Sequence, residues 1–282
     1  VKSRNFGLVT GRVTALALDP SDTTGNRLFV GTTGGGVWLS GNAGTATVTK
    51  VSFAARTDGS PVLSSSSGAC NTSPCLDASI SIGALSVQPG GTGVILAGTG
   101  DPNDALDSYY GGGILRSTDG GTTWTLINRT ADRLYSFFGE GFAGFAWSTQ
   151  TPQLVVAAVS ASYEGTLVNA EWPGLSCPGL YYSTDSGLTW TLATIRDGSE
   201  DVQGQNDAFA GNAATAVAWN PVRKLFVAAV RYHGYYQSTD GITWTRLSDA
   251  VQPGAGLTAK LCPTNPGGTG SPGCPIYRGA LA

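Results

Sequence analysis

Few side chains in this sequence carry reactive chemistry, and most of those fall in loop-like stretches. Asp101, Asn103, Asp104 and Asp107 crowd into GDPNDALDSYYGGG beside Tyr109 and Tyr110. Short oxygen ligands at that density suit a calcium ion, although the sixth-place glycine and closing glutamate of an EF-hand are missing. A metal-free loop capped by its own Asp and Asn side chains is the competing reading. Glu140 lies in FFGEGFAGF, Tyr163 and Glu164 in SASYEG, and Glu171 and Trp172 in NAEWPG. Arg231, Tyr232 and His233 form a short RYHG turn holding the one histidine of the chain, and a lone histidine is more often a hydrogen-bonded turn residue than a catalyst. Tyr109, Tyr110, Tyr163, Trp172, Tyr232, Arg231 and His233 are the candidate ligand-binding residues, because flat rings on a firm loop stack on sugar rings or grip a partner's loop. No nucleophile elbow, phosphate-cradling glycine loop or zinc-protease helix motif is present.

The elements that must hold these loops show up as an internal repeat. Ser117-Thr118-Asp119-Gly120-Gly121-Thr122-Thr123-Trp124 returns as Ser183-Thr184-Asp185-Ser186-Gly187-Leu188-Thr189-Trp190. It returns one residue shorter as Ser238-Thr239-Asp240-Gly241-Ile242-Thr243-Trp244, and a degenerate copy without tryptophan starts at Ser40, with Asn42 in the aspartate's place. Before each copy comes an alternating run (VTALALDP, IGALSVQP, FAGFAWSTQTP, ATAVAWNP), then a β-branched run, then a third run leading into the turn; a fourth follows the tryptophan. Four short strands per repeat predict an all-β propeller of four-stranded antiparallel blades. The blades are expected at about residues 11–55, 80–128, 141–195 and 212–248, with an incomplete fifth at 256–282. The chain is then one propeller domain over 1–282 or the N-terminal part of a larger one. Val1 and the lack of any Met suggest a processed or excised chain.

Within the repeated turn, Asp119, Asp185 and Asp240 are expected to accept backbone N–H groups, and Trp124, Trp190 and Trp244 to pack between neighbouring strands. These are structural roles, since a carboxylate saturated by backbone donors is badly placed for catalysis.

This Ser-x-Asp-x-Gly-x-Thr-Trp turn resembles the Asp-box, or BNR repeat, of sialidase-type β-propellers, a turn also found in sortilin-type receptors and xyloglucan-active endoglucanase propellers. Residues 7–40 and 82–124 are similar to a group of secreted bacterial BNR-repeat proteins. The sialidase and endoglucanase resemblance implies a glycoside hydrolase as one reading, with Glu140, Glu164, Glu171 and Asp101 as candidates for the carboxyl pair such enzymes need. The Arg-x-Pro motif of sialidases is absent: Arg4 is followed by Asn5-Phe6 and Arg12 by Val13-Thr14. Arg133, Arg196, Arg231 and Arg278 remain as arginines that would have to converge on the axis.

Loop lengths favour one face. First-to-second strand turns are short in all four blades, whereas 56–80, 100–113, 127–141, 160–179, 196–212 and 248–256 are long and varied. Long loops on one side of a rigid scaffold are where binding sits. Non-catalytic recognition of a carbohydrate or an extracellular protein is the leading expectation.

Composition narrows the rest. The 282 residues are only 12% charged and 41% hydrophobic with 41 glycines, which is unlike a helical bundle or a disordered chain. A net charge of −3 gives no footprint for nucleic acid or an anionic membrane, and no apolar run is long enough to span a bilayer. Cys70 with Cys75, and Cys262 with Cys274, bracket turn-rich loops and suit two local disulfides of a secreted, extracellular, cell-surface or periplasmic protein. Zinc is the alternative, against which the spacings and the single histidine argue. Cys177 is the odd one, expected buried or reduced.

Overall fold

The computed structural model describes residues 12–57, 60, 80–103, 108–162, 176–197, 200–201, 213–231, 233–247 and 278–281. Four sheets of antiparallel strands follow one another along the chain. Blade 1 holds β1 (Val13–Leu18), β2 (Leu28–Thr32), β3 (Gly36–Ser40) and β4 (Ala54–Ala55). Blade 2 holds β5 (Ile82–Val87), β6 (Ile95–Thr99), β7 (Ile114–Ser117) and β8 (Thr125–Ile127). Blade 3 is built from β9 (Glu140–Trp147), β10 (Val155–Ala161), β11 (Gly179–Ser183) and β12 (Thr191–Leu192). Two short strands come next, β13 (Thr194–Asp197) and β14 (Glu200–Asp201). Blade 4 comprises β15 (Ala214–Asn220), β16 (Leu225–Val230), β17 (Gly234–Ser238) and β18 (Thr243–Arg246).

Each blade is an up-and-down meander, and the first strands of successive blades lie beside one another. The fold is a β-propeller of four-stranded blades, as the repeat predicts. Close approach at the centre depends on glycine: a Cβ on Gly83 would collide with the carbonyl oxygens of Gly100 and Phe142.

Alternation along the strands sends side chains to both neighbours, so the core is a series of layers between blades. Phe29, Val37 and Leu39 of blade 1 pack on Ile95, Leu115 and Trp124 of blade 2. Leu96 and Ile114 meet Val155, Ala157, Tyr181 and Trp190 of blade 3. Val156, Ala158 and Leu180 meet Phe226, Tyr236 and Trp244 of blade 4. Trp190 and Trp244 are fully buried.

Two features depart from the repeat pattern. β13 leaves blade 3 and pairs in parallel with β18, Thr194 opposite Thr243, so blade 4 becomes six-stranded with its outer edge covered. In blade 1, residues 43–51 intervene between Asn42 and Ser52, whose N–H donates to Asn42 Oδ1 at 3.0 Å. Phe53 then precedes the β4 pairs Ala54–Leu39 and Ala55–Trp38, just as Trp124 precedes Thr125–Arg116 and Leu126–Leu115. Phe53 is the tryptophan's equivalent in the degenerate copy.

Candidate functional site

The repeated turns occupy one side of the row of blades. In blade 3, Ser183 Oγ accepts the Gly187 N–H at 2.8 Å and donates to Asp185 Oδ1 at 2.7 Å. Asp185 also accepts from Leu188 N–H (3.0 Å), Thr189 N–H (2.9 Å) and the Thr189 hydroxyl (2.6 Å). Blade 2 repeats this with Ser117, Asp119 and Thr123, and blade 4 with Ser238, Asp240 and Thr243. The Thr123 hydroxyl and N–H hold the Asp119 carboxyl well below the usual carboxylate range. For Asp185 and Asp240 burial pushes upward, but the hydrogen bonds donated to them outweigh it and both are lowered. Indole N–H groups of Trp190 and Trp244 close their own turns on Gly187 and Gly241 carbonyls, whereas that of Trp124 reaches the Arg56 carbonyl of blade 1 at 3.1 Å.

On the opposite side lie the described parts of the 100–113, 127–141 and 160–179 connections. Asp101 follows β6 and is buried; its Oδ2 takes the Arg12 guanidinium at 2.5 Å and its Oδ1 accepts the Asn103 N–H at 3.0 Å. The loop is pinned at its base by the Asp101 N–H to the Tyr109 carbonyl (2.7 Å), and the Ser162 hydroxyl of blade 3 donates to the Asp101 carbonyl (3.1 Å). Arg278 donates to Asn103 Oδ1, joining residues 278–281 to the same cluster. Tyr109 stands 54% exposed at this rim, while Tyr110 is half-buried with its ring 5.7 Å from that of Phe138. The cluster thus joins three blades and residues 278–281 around one loop, with one open aromatic face beside it.

Glu140 opens β9 and is 2% exposed; its Oε1 accepts the Ser176 hydroxyl. The nearby Tyr181 phenol is pushed well above its ordinary value, chiefly by burial, with Cys177 and Glu140 adding to the rise. The Tyr181 hydroxyl donates to the Cys177 carbonyl at 2.5 Å, and Cys177 is buried. Arg231 and His233 are buried as well, at 3% and 7% exposure. Arg133 lies in the 130–135 turn and Arg196 in β13 on the outer edge of blade 4, away from the first-strand ends. Asp104, Asp107, Tyr163, Glu164, Glu171, Trp172 and Tyr232 lie outside the described residues, as do Cys70, Cys75, Cys262 and Cys274.

Of the candidate site residues, the structure therefore brings together Asp101, Asn103 and Tyr109. Arg12, Ser162 and Ser176 are partners that sequence reasoning missed, and Arg278 joins this loop rather than a cluster of arginines. Nothing local marks them, since the Arg12–Asp101 contact joins residues 89 positions apart. Chemically, the two candidate carboxylates that are described are both engaged, Asp101 by a guanidinium and Glu140 by a hydroxyl. Among the described residues no three His, Cys, Asp or Glu side chains gather as a metal site would need. No described helix is long and apolar enough to cross a membrane.

No family description matches the chain, and no curated protein matches it in sequence. Among solved structures, an ancestral GH74 enzyme superposes on 85% of this chain with a TM-score of 0.53 and 18% identity. Only 25% of that enzyme's length is covered, so the likeness is one of fold over a quarter of a larger protein. The GH74 xyloglucanase of Xanthomonas campestris aligns over 82% of this chain and 38% of its own, at 16% identity and TM-score 0.34. The extracellular domain of a hybrid two-component system of B. thetaiotaomicron aligns over 86% and 25%, at 9% identity and TM-score 0.46. These two are distant resemblances.

Proposed function

We propose that this chain is a secreted recognition module that binds a carbohydrate at the long-loop side of its propeller. The observation that carries the reading is the exposed Tyr109 ring beside the Arg12–Asp101–Asn103–Arg278 cluster. A flat apolar surface next to fixed donors and acceptors is what a sugar ring needs, with stacking on one face and hydrogen bonds at its edge. The repeated turns are Asp-boxes in this reading, a structural device that holds the blades while the loops vary. Low net charge favours a neutral glycan over a polyanion.

The ion pair with Arg12 keeps Asp101 from serving as the proton donor that glycoside hydrolysis calls for, which favours recognition at this loop. Calorimetric titration with neutral oligosaccharides, xyloglucan fragments among them, tests the proposal. Tyr109→Ala should weaken binding about tenfold or more while leaving the melting temperature in place. Mass spectrometry of the same mixtures separates the alternative: new oligosaccharide products that vanish in Glu140→Gln would replace recognition with glycoside hydrolysis.

A further inference from the structure

The seams between blades are not closed alike on the side of the repeated turns. Counted from the turn serines Ser40, Ser117, Ser183 and Ser238, Arg27 holds the place of Val94, Leu154 and Leu225. Arg56, just after β4, likewise holds the place of Ile127, Ala193 and Leu247. Val94 and Ile127 pack towards blade 3, and Leu154 and Ala193 towards blade 4. At the seam of blades 1 and 2 arginines stand in both places, and a cleft of about 500 Å³ opens that both of them line. Every turn that the blades contribute to this side lies within the described residues, as do the residues lining the cleft. Most polar groups here are spent on one another. Arg27 donates to the Gly120 carbonyl at 3.0 Å and keeps its Nε 3.2 Å from Asp19 Oδ2. Asp22 accepts the Thr24 N–H (2.9 Å), the Thr24 hydroxyl (2.6 Å) and the Arg27 N–H (2.6 Å). Arg56 differs: among the described residues no hydrogen bond or ion pair engages its guanidinium, and its Nε is buried without an acceptor. A guanidinium set where apolar residues close the other seams costs stability, and a ligand oxygen supplies the partner it lacks.

We propose that this cleft binds a sugar acid, with its carboxylate on the Arg56 guanidinium and its hydroxyls along Asp22, Thr24 and Thr122. The planar guanidinium fork matches the two oxygens of a carboxylate. Arg27 and Arg56 balance Asp19 and Asp22, so the cleft suits a singly charged group better than dianionic phosphate. Leu39 is the one apolar side chain in the lining, which suits a hydroxylated body over a hydrophobic one. The site lies on the side away from Tyr109 and does not depend on the neutral glycan proposed there.

Calorimetric titration of the full chain with glucuronate decides the matter, with glucose, acetate and inorganic phosphate as comparators. Glucuronate should bind with a Kd of about 1 mM or tighter, and each comparator at least about tenfold more weakly. Arg56→Leu and Arg56→Gln, made separately, should each weaken glucuronate binding about tenfold or more. Arg56→Leu should also hold or raise the melting temperature, since it gives blade 1 the leucine that blade 4 has at this place. No binding up to about 20 mM glucuronate overturns the proposal, as does a comparator bound equally well, which would mark a bare anion contact. Affinity indifferent to both substitutions overturns it too. So does affinity lost in Tyr109→Ala instead, which would put the sugar acid on the other side.

Discussion

Ser183 is a small residue with a large share in its turn. It is 1% exposed, and its hydroxyl serves the Gly187 N–H and the Asp185 carboxylate together. Ser183→Ala leaves a buried N–H without its acceptor, a loss of about 1–3 kcal/mol. Urea unfolding should show a lower midpoint at constant slope. The aspartates of these turns act through pH instead. Their native pKa values lie below the unfolded value, so their stabilisation is complete above about pH 4 and is lost as pH falls through the lowered native values. Melting temperature should stay level near neutrality and drop steeply below about pH 4, with a shallower drop in Asp185→Asn. The aspartate's part in this turn was legible in sequence because its donors sit within four residues of it, whereas the serine hydroxyl's double role was not read. The Arg12–Asp101 pair was not, because its partners belong to different blades and no spacing encodes them.

At the scale of elements, two glycines make opposite predictions. Gly83 in β5 faces backbone on two sides, so Gly83→Ala must push apart the first strands of blades 2 and 3 or the loop at Gly100. A cost of about 1–3 kcal/mol is expected from overpacking of this kind. Gly41 has open space for 4 Å around the point where a Cβ would sit, and it occupies the place held by Thr118, Thr184 and Thr239 in the other turns. Gly41→Ala should therefore be neutral or raise stability by up to about 1 kcal/mol, by narrowing the unfolded ensemble. Thermal unfolding of the two variants side by side checks both. Alternation and turn residues made the main strands of each blade readable in advance. β13 escaped because its pairing with β18 is parallel and non-local, and Phe53 because residues 43–51 separate it from the Ser40–Asn42 half of its turn.

Across the whole molecule, stability should grade with how many faces of a blade are covered. Every residue of β10 is buried and so is every residue of β6, since blades 2 and 3 have a neighbour on each side. In β1 no residue is fully buried, and among the described residues nothing covers its outward side. Each layer of the core joins one blade only to the next, so opening can begin at an end without disturbing the middle. Native-state hydrogen exchange should find the amides of Val155–Val159 opening only with global unfolding. Those of Ala15 and Ala17 should open at a free energy lower by about 2 kcal/mol or more. Equal protection in the two strands would mean that the propeller unfolds as one unit and that the uncovered face costs it nothing.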